Sequence, residues 1–248
     1  MIRRHLRALA FVAAAATAAT AASCSATTAT PPASAPSSPA AMSAAAVKAA
    51  LTGDQVGSTV VSAYKQASAV HVKGAMTDQG STVKIDLQLN QDSAGGTVET
   101  DGTLVPVVRV GQVVYVQVAS SMLQKLGVSP TSQLGGLMKD KWVSSDSKLG
   151  DGVAANFKDF LAYGGFVDNT VGQMRSAIFT DGGTDTVNGT SALVFRSPEG
   201  VAYVAASEPH YLLRMTDEKN VTLDFTGWNQ PVAVTAPPAK DIYSGPGA

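Results

Sequence analysis

The stretch from Gly200 to Pro238 leaves this chain few folds to choose from. Residues 200–206, 211–219 and 221–226 are short segments in which apolar and polar side chains alternate, joined by turns. Val221, Leu223 and Phe225 fall on one face, and Thr222, Asp224 and Thr226 on the other. Tyr211, Leu213 and Met215 oppose Leu212, Arg214 and Thr216 in the same way. A period of two bounded by turn residues specifies half-buried strands. Connections this short can join only antiparallel neighbours. The C-terminal third is therefore predicted to be a meander whose apolar face another layer must cover.

The same rhythm runs from Ser68 to Val118. Val70 and Val72 alternate with His71 and Lys73, and Ile85, Leu87 and Leu89 with Lys84, Asp86 and Gln88. Turn signals stand at Asp78-Gln79-Gly80, from Asn90 to Gly96, and at Asp101-Gly102. Pro106 has no ladder donor and requires an edge, a bulge or a strand start. Val114, Val116 and Val118 oppose Val113, Tyr115 and Gln117, so that strand is read as covered on two sides. Asn188-Gly189, between Thr184–Val187 and Thr190–Arg196, is a strong hairpin signal.

Two segments break the pattern. Between Ala44 and Ala67, Val56, Val60, Val61 and Tyr64 recur at helical spacing, with Gly53 and Gly57 weakening the middle and marking a break before Asp54, which caps the second half. From Ser120 to Phe179, short helices are expected at 121–126, 156–161 and 167–177, around a short strand at 141–143. The total is about nine to eleven consecutive antiparallel strands, and nothing suggests a parallel crossover. A sheet that large curls. The fold class is α+β, a large curved antiparallel sheet with helices against one face, and Pro237-Pro238 is read as the end of ordered structure.

The front of the chain carries a different message. Arg3, Arg4 and Arg7 precede an apolar run from Ala8, so residues 1–23 read as a secretory signal, too short and weakly apolar for a membrane span. Cys24, the only cysteine of the 248 residues, follows Ala21-Ala22-Ser23 and resembles a bacterial lipobox cysteine. An ordinary cleavage site with an incidental cysteine is the alternative. A lone cysteine in an exported chain has no disulfide partner, whereas a lipid thioether gives it a use, and two or more acyl chains anchor stably. Residues 24–43, rich in Ser, Thr, Pro and Ala, read as a disordered tether to a folded domain at 44–243. Loss of the three signal arginines leaves fifteen basic against nineteen acidic side chains, a net charge of −4, which argues against nucleic acid as a partner.

No catalytic motif stands out. His5 leaves with the signal, and His71 and His210 have no cysteine or carboxylate cluster beside them, so no metal or cofactor is expected. Asp181 to Asp185 lacks the spacing and terminal glutamate of a calcium loop and reads as a turn. The chain is read as a monomeric binding protein rather than an enzyme.

The order of several short motifs resembles a known family. A helix leading into Ser68-Ala69-Val70-His71-Val72-Lys73-Gly74, Lys141-Trp142, Glu208-Pro209-His210-Tyr211-Leu212-Leu213 and the closing Pro231 to Pro237, behind Cys24, is similar to the actinobacterial LppX/LprG lipoproteins, within the LolA/LolB-like lipoprotein carriers. The likeness covers roughly 44–243. It implies a half-barrel with helices across its concave face and an acyl lipid or lipoglycan held between the layers. It also implies attachment to the cell membrane, on the extracytoplasmic face, through acyl chains on Cys24. The cavity would be lined by Ile85, Leu87, Leu89, Val116, Phe195, Leu213, Met215, Leu223 and Phe225. Phe157, Phe160 and Leu161 would serve as its roof or lid, or else as plain core. The alternative function is an envelope sensor or protein-interaction lipoprotein with a dry core.

Overall fold

The computed structural model describes residues 51–78, 81–125, 127–219, 221–246 and 248. The expected signal peptide, Cys24 and the tether lie outside them, as do residues 44–50 and the Gln79-Gly80 turn.

Eleven strands form one antiparallel sheet. In chain order they are β1 (Ala69–Asp78), β2 (Ser81–Asn90), β3 (Ser93–Thr100), β4 (Thr103–Val110), β5 (Val113–Gln117) and β6 (Trp142–Ser144), then β7 (Thr180–Val187), β8 (Thr190–Ser197), β9 (Gly200–Ala205), β10 (Leu212–Asp217) and β11 (Thr222–Thr226). The spatial order β6-β5-β4-β3-β2-β1-β11-β10-β9-β8-β7 is two meanders zipped together where β1 meets β11, with Val72 opposite Phe225. The sheet stays open, with β6 and β7 as its edges, and curls into a half-barrel. Gly74 and Gly96 sit mid-strand at φ +141° and +150°, conformations that favour glycine, and such kinks let a sheet bend.

The helices are α1 (Gly53–Gln66), α2 (Ser120–Lys125), α3 (Gln133–Met138), α4 (Lys148–Leu161) and α5 (Tyr163–Asn169), followed by a 3-10 turn at Val171–Arg175. Val56, Val60 and Tyr64 of α1, Leu161 of α4 and Phe166 of α5 share one core with Val72, Leu87, Val116 and Phe225 of the sheet. Helix α1 begins at Gly53, one residue from the break read before Asp54, and runs through Gly57 without interruption. Thr52, not Asp54, opens it: its carbonyl accepts the Gln55 and Val56 amides, and its own amide donates to Gln55 Oε1. The glycines serve packing instead. A Cβ at Gly53 would lie 2.1 Å from the Phe179 carbonyl oxygen, and one at Gly57 2.1 Å from that of Met174. Helix α4 starts earlier than its apolar spacing suggested because Ser147 caps it, Oγ accepting from the Gly150 amide at 2.9 Å.

Four further details correct the sequence reading. The Asn90–Gly96 turn shrinks to residues 91–92, and Gly95 and Gly96 lie within β3. Val114 and Val116 are buried while Val113 and Tyr115 are only half-buried, so β5 is covered on one face. Pro106 lies mid-strand, but β5 pairs only with Val107–Val110, so no neighbour on that side asks for its missing N–H. The chain from Val232 onward is tied down, past the end of ordered structure read at Pro237-Pro238. Asn90 Nδ2 donates to the Val232 carbonyl (2.8 Å), Val234 packs over Gly95, Ile242 bridges Trp142, and the Tyr243 amide donates to the Trp142 carbonyl (2.8 Å). Tyr243 buries its ring against Val118, Leu123, Met138 and Val143, so the tail covers the β6 edge.

Candidate functional site

The sheet interior is filled unevenly. One end holds an aromatic cluster. Tyr64 lies 4.9 Å from Tyr163 and 5.1 Å from Trp228, Tyr211 stacks on Trp228 at 4.5 Å, and Phe160 meets Phe166 at 5.4 Å. Tyr163 donates to the Tyr64 carbonyl (2.8 Å), and Trp228 Nε1 to the Leu212 carbonyl (3.0 Å). Burial pushes the Tyr64 hydroxyl well up from its ordinary pKa, and it has no hydrogen-bond partner among the described residues.

The opposite end holds a cavity of about 370 Å³, open to solvent. Its floor comes from Ala75 of β1, Met215 to Asp217 of β10, Leu223 of β11, Gly200 to Ala202 of β9, and Ser197 and Glu199 at the β8–β9 turn. Its roof is the end of α5 and the segment after it: Asn169, Thr170, Gln173, Met174, Ser176, Ala177 and Phe179. The void exists because its floor presents Gly200 and Ala202, in phase with buried Val204, where the other end has Phe225 and Trp228. Gly53 and Gly57 hold this roof in place by letting α1 press on the Phe179 and Met174 backbone.

The depth is apolar, with Met174, Ala202 and Leu223 buried. Asn169, Gln173, Ser176 and Glu199 are exposed at the rim. Among the described residues Glu199 and Asp217 are the only charged lining residues. Asp217 Oδ1 accepts the Lys219 and Val221 amides, both at 2.8 Å, and so shapes the β10–β11 turn. Ile178, between two roof residues, is 82% exposed.

Eleven of the twelve cavity residues expected from the sequence join the core between sheet and helices, eight from strands and three from α4, but only Met215 and Leu223 line this cavity. Ile85, Leu87, Leu89, Val116, Phe195 and Phe225 are packed core, covered by α1, α4 and α5. Phe157, Phe160 and Leu161 pack on that same core and are not the cavity's roof. Leu213 lies on the other face, against Val187, Ala192, Ala205 and Tyr203. The cause is a bulge: Leu212 pairs with Val204 and Arg214 with Tyr203, so Leu213 is the extra residue and the alternation slips there. The residues that build the cavity were missed because small side chains carry little pattern. Gly200 and Ala202, in phase with buried Val204, were the available signal.

Other polar features have structural partners. Buried Arg109 donates Nε to the Leu161 carbonyl (2.9 Å), Nη1 to Gly111 (2.7 Å) and Nη2 to Gln91 (3.2 Å) and Asn90 (3.3 Å). On the outer face Asp86 binds Lys73 and His71, each at 2.7 Å, and Arg214 grips Asp224 with Nε and Nη2. The Lys73 hydrogen bond holds the Asp86 carboxyl below its ordinary range. His210 Nδ1 sits 3.0 Å from the Ala205 carbonyl oxygen. Among the described residues no three His, Cys, Asp or Glu side chains are grouped to hold a metal, and no helix is long and apolar enough to cross a membrane.

No protein-family model matches the chain, and no curated protein matches it. One solved structure, a DUF1329 family protein from Desulfovibrio piger, aligns with 76% of this chain and 95% of its own at 10% identity and a TM-score of 0.26. A likeness that weak carries no argument about function.

Proposed function

We propose that this protein binds one hydrophobic chain, an acyl lipid, in the end cavity, as a non-catalytic carrier anchored on the extracytoplasmic face of the membrane through acyl chains on Cys24. The observation that carries the reading is a mostly apolar cavity of about 370 Å³, open at one end, in a large curled sheet. That volume is at the low end for ligand sites. At about 30 Å³ per heavy atom it takes roughly a dozen atoms, one acyl segment rather than the several chains of a lipoglycan anchor. Each methylene kept out of water is worth about 0.8 kcal/mol, so a chain crossing an aqueous envelope needs such cover. The resemblance to LppX/LprG carriers supports the same reading.

The test is mass spectrometry of the organic extract from purified protein, with titration of a fluorescent fatty-acid probe. Bound acyl lipid is expected, and Ala202→Leu, which puts three more carbons into the cavity, should weaken probe binding at least about tenfold with Tm unchanged or raised. An extract without lipid and no probe binding would favour the second reading, a dry-core protein-interaction lipoprotein. The observation in favour of that reading is the close packing of helices on sheet everywhere except this end.

A further inference from the structure

Resting on the acyl-binding reading, we infer that the cavity selects a lipid with an uncharged, hydroxyl-bearing head and rejects one with an anionic head. A chain in the apolar depth would leave its head among the exposed rim residues, and the chemistry of the rim sets what that head can be. The rim offers amides and hydroxyls from Asn169, Gln173, Ser176 and Ser197, groups that both donate and accept hydrogen bonds. Among the described residues its only charged members are the carboxylates Glu199 and Asp217. Among the described residues no lysine or arginine lines the cavity, although a phosphate or carboxylate head would call for one. The cations next to lining residues in sequence are Arg175, Arg196 and Arg214; none of them lines the cavity, and Arg214 is taken by Asp224 on the outer face. Asp217 is already occupied by two turn amides, which leaves Glu199, exposed and on a turn, as the group that meets the head.

Sugars and polyols satisfy such a rim, because each hydroxyl can donate to a carboxylate and accept from an amide. A phosphate would face the Glu199 carboxylate with no lysine or arginine among the described lining residues to offset it, which lowers affinity by about tenfold or more.

The experiment compares two probes that differ only in charge, 1-dodecanoylglycerol and its 3-phosphate, by displacement of a bound fluorescent probe from the purified protein. The neutral compound is expected to bind about tenfold or more tightly, and Glu199→Lys should bring the two within about threefold. Equal or tighter binding of the phosphate by the unaltered protein, or an unchanged gap in Glu199→Lys, overturns the selectivity while leaving acyl binding intact. Failure of both compounds to bind removes the acyl-binding reading itself.

Discussion

Arg109 is the side chain on which the packed half of the molecule most depends. Its guanidinium reaches four carbonyls, joining the last turn of α4 to the β2–β3 turn and to Gly111. Replacement by Met keeps the stem and leaves those carbonyls without donors in a buried site. Arg109→Met should cost about 2–4 kcal/mol in urea unfolding, and Arg109→Lys nearly as much, because an ammonium lacks the planar fork. The sequence hides this residue: it sits among valines on β4, where alternation marks a face but does not say that the bottom of that face is polar. Leu213 shows the complementary failure. Its hydrophobicity and phase pointed inward, and one inserted residue in β10 turned it outward. By contrast Ile85, Leu87, Leu89, Leu223 and Phe225 lie in unbroken strands, and the period of two placed each on the correct face.

At the scale of elements, α1 and the cavity roof are one device. Gly57 lowers helix propensity by about 1 kcal/mol relative to Ala, so an exposed site would gain from Gly57→Ala. Here the new methyl would stand 2.1 Å from the Met174 carbonyl oxygen, backbone that cannot rotate away. Gly57→Ala should therefore lower Tm despite the better propensity and, by lifting the 3-10 turn that carries Met174, change probe affinity as well. A rise in Tm with unchanged affinity would show that α1 does not clamp the roof. The sequence reading treated both glycines as a weak point, since contact with a segment far along the chain leaves no trace in local pattern. The sheet's outer face makes a second prediction. Lys73 is opposite both Asp86 and Asp224, and Asp224 is opposite Arg214, an alternation of charge across four strands. Asp86 is held below its ordinary value of 3.8, chiefly by Lys73. A carboxyl depressed in the folded state adds stability that is fully present above its unfolded value and lost as pH falls through its folded one. Stability should thus fall below about pH 4, and less steeply in Asp86→Asn; an identical acid limb in that variant would remove Asp86 from the account.

At the scale of the whole molecule, the interior divides its labour between its ends. The curled sheet was legible because strand alternation and turn residues repeat eleven times. Where its interior would be full and where empty was not legible, because that depends on which bulky side chains gather at one end. Tyr64 of α1, Tyr163 and Phe166 of α5, Tyr211 and Trp228 come from four separate stretches of the chain and meet only in the fold. They close one mouth of the half-barrel, while Gly200 and Ala202 leave the other open. Stability and binding should then separate. Trp228 stacks on Tyr211, meets Tyr64 edge-on and donates to Leu212, yet lines no part of the cavity. Trp228→Ala should cost about 3 kcal/mol or more of unfolding free energy while leaving acyl-probe affinity within about twofold for the folded fraction. Ala202→Leu should do the reverse. If Trp228→Ala weakens binding as much as it weakens the fold, the two ends are one cooperative site, and the aromatic cluster is part of the ligand's cover rather than the frame that holds the cavity open.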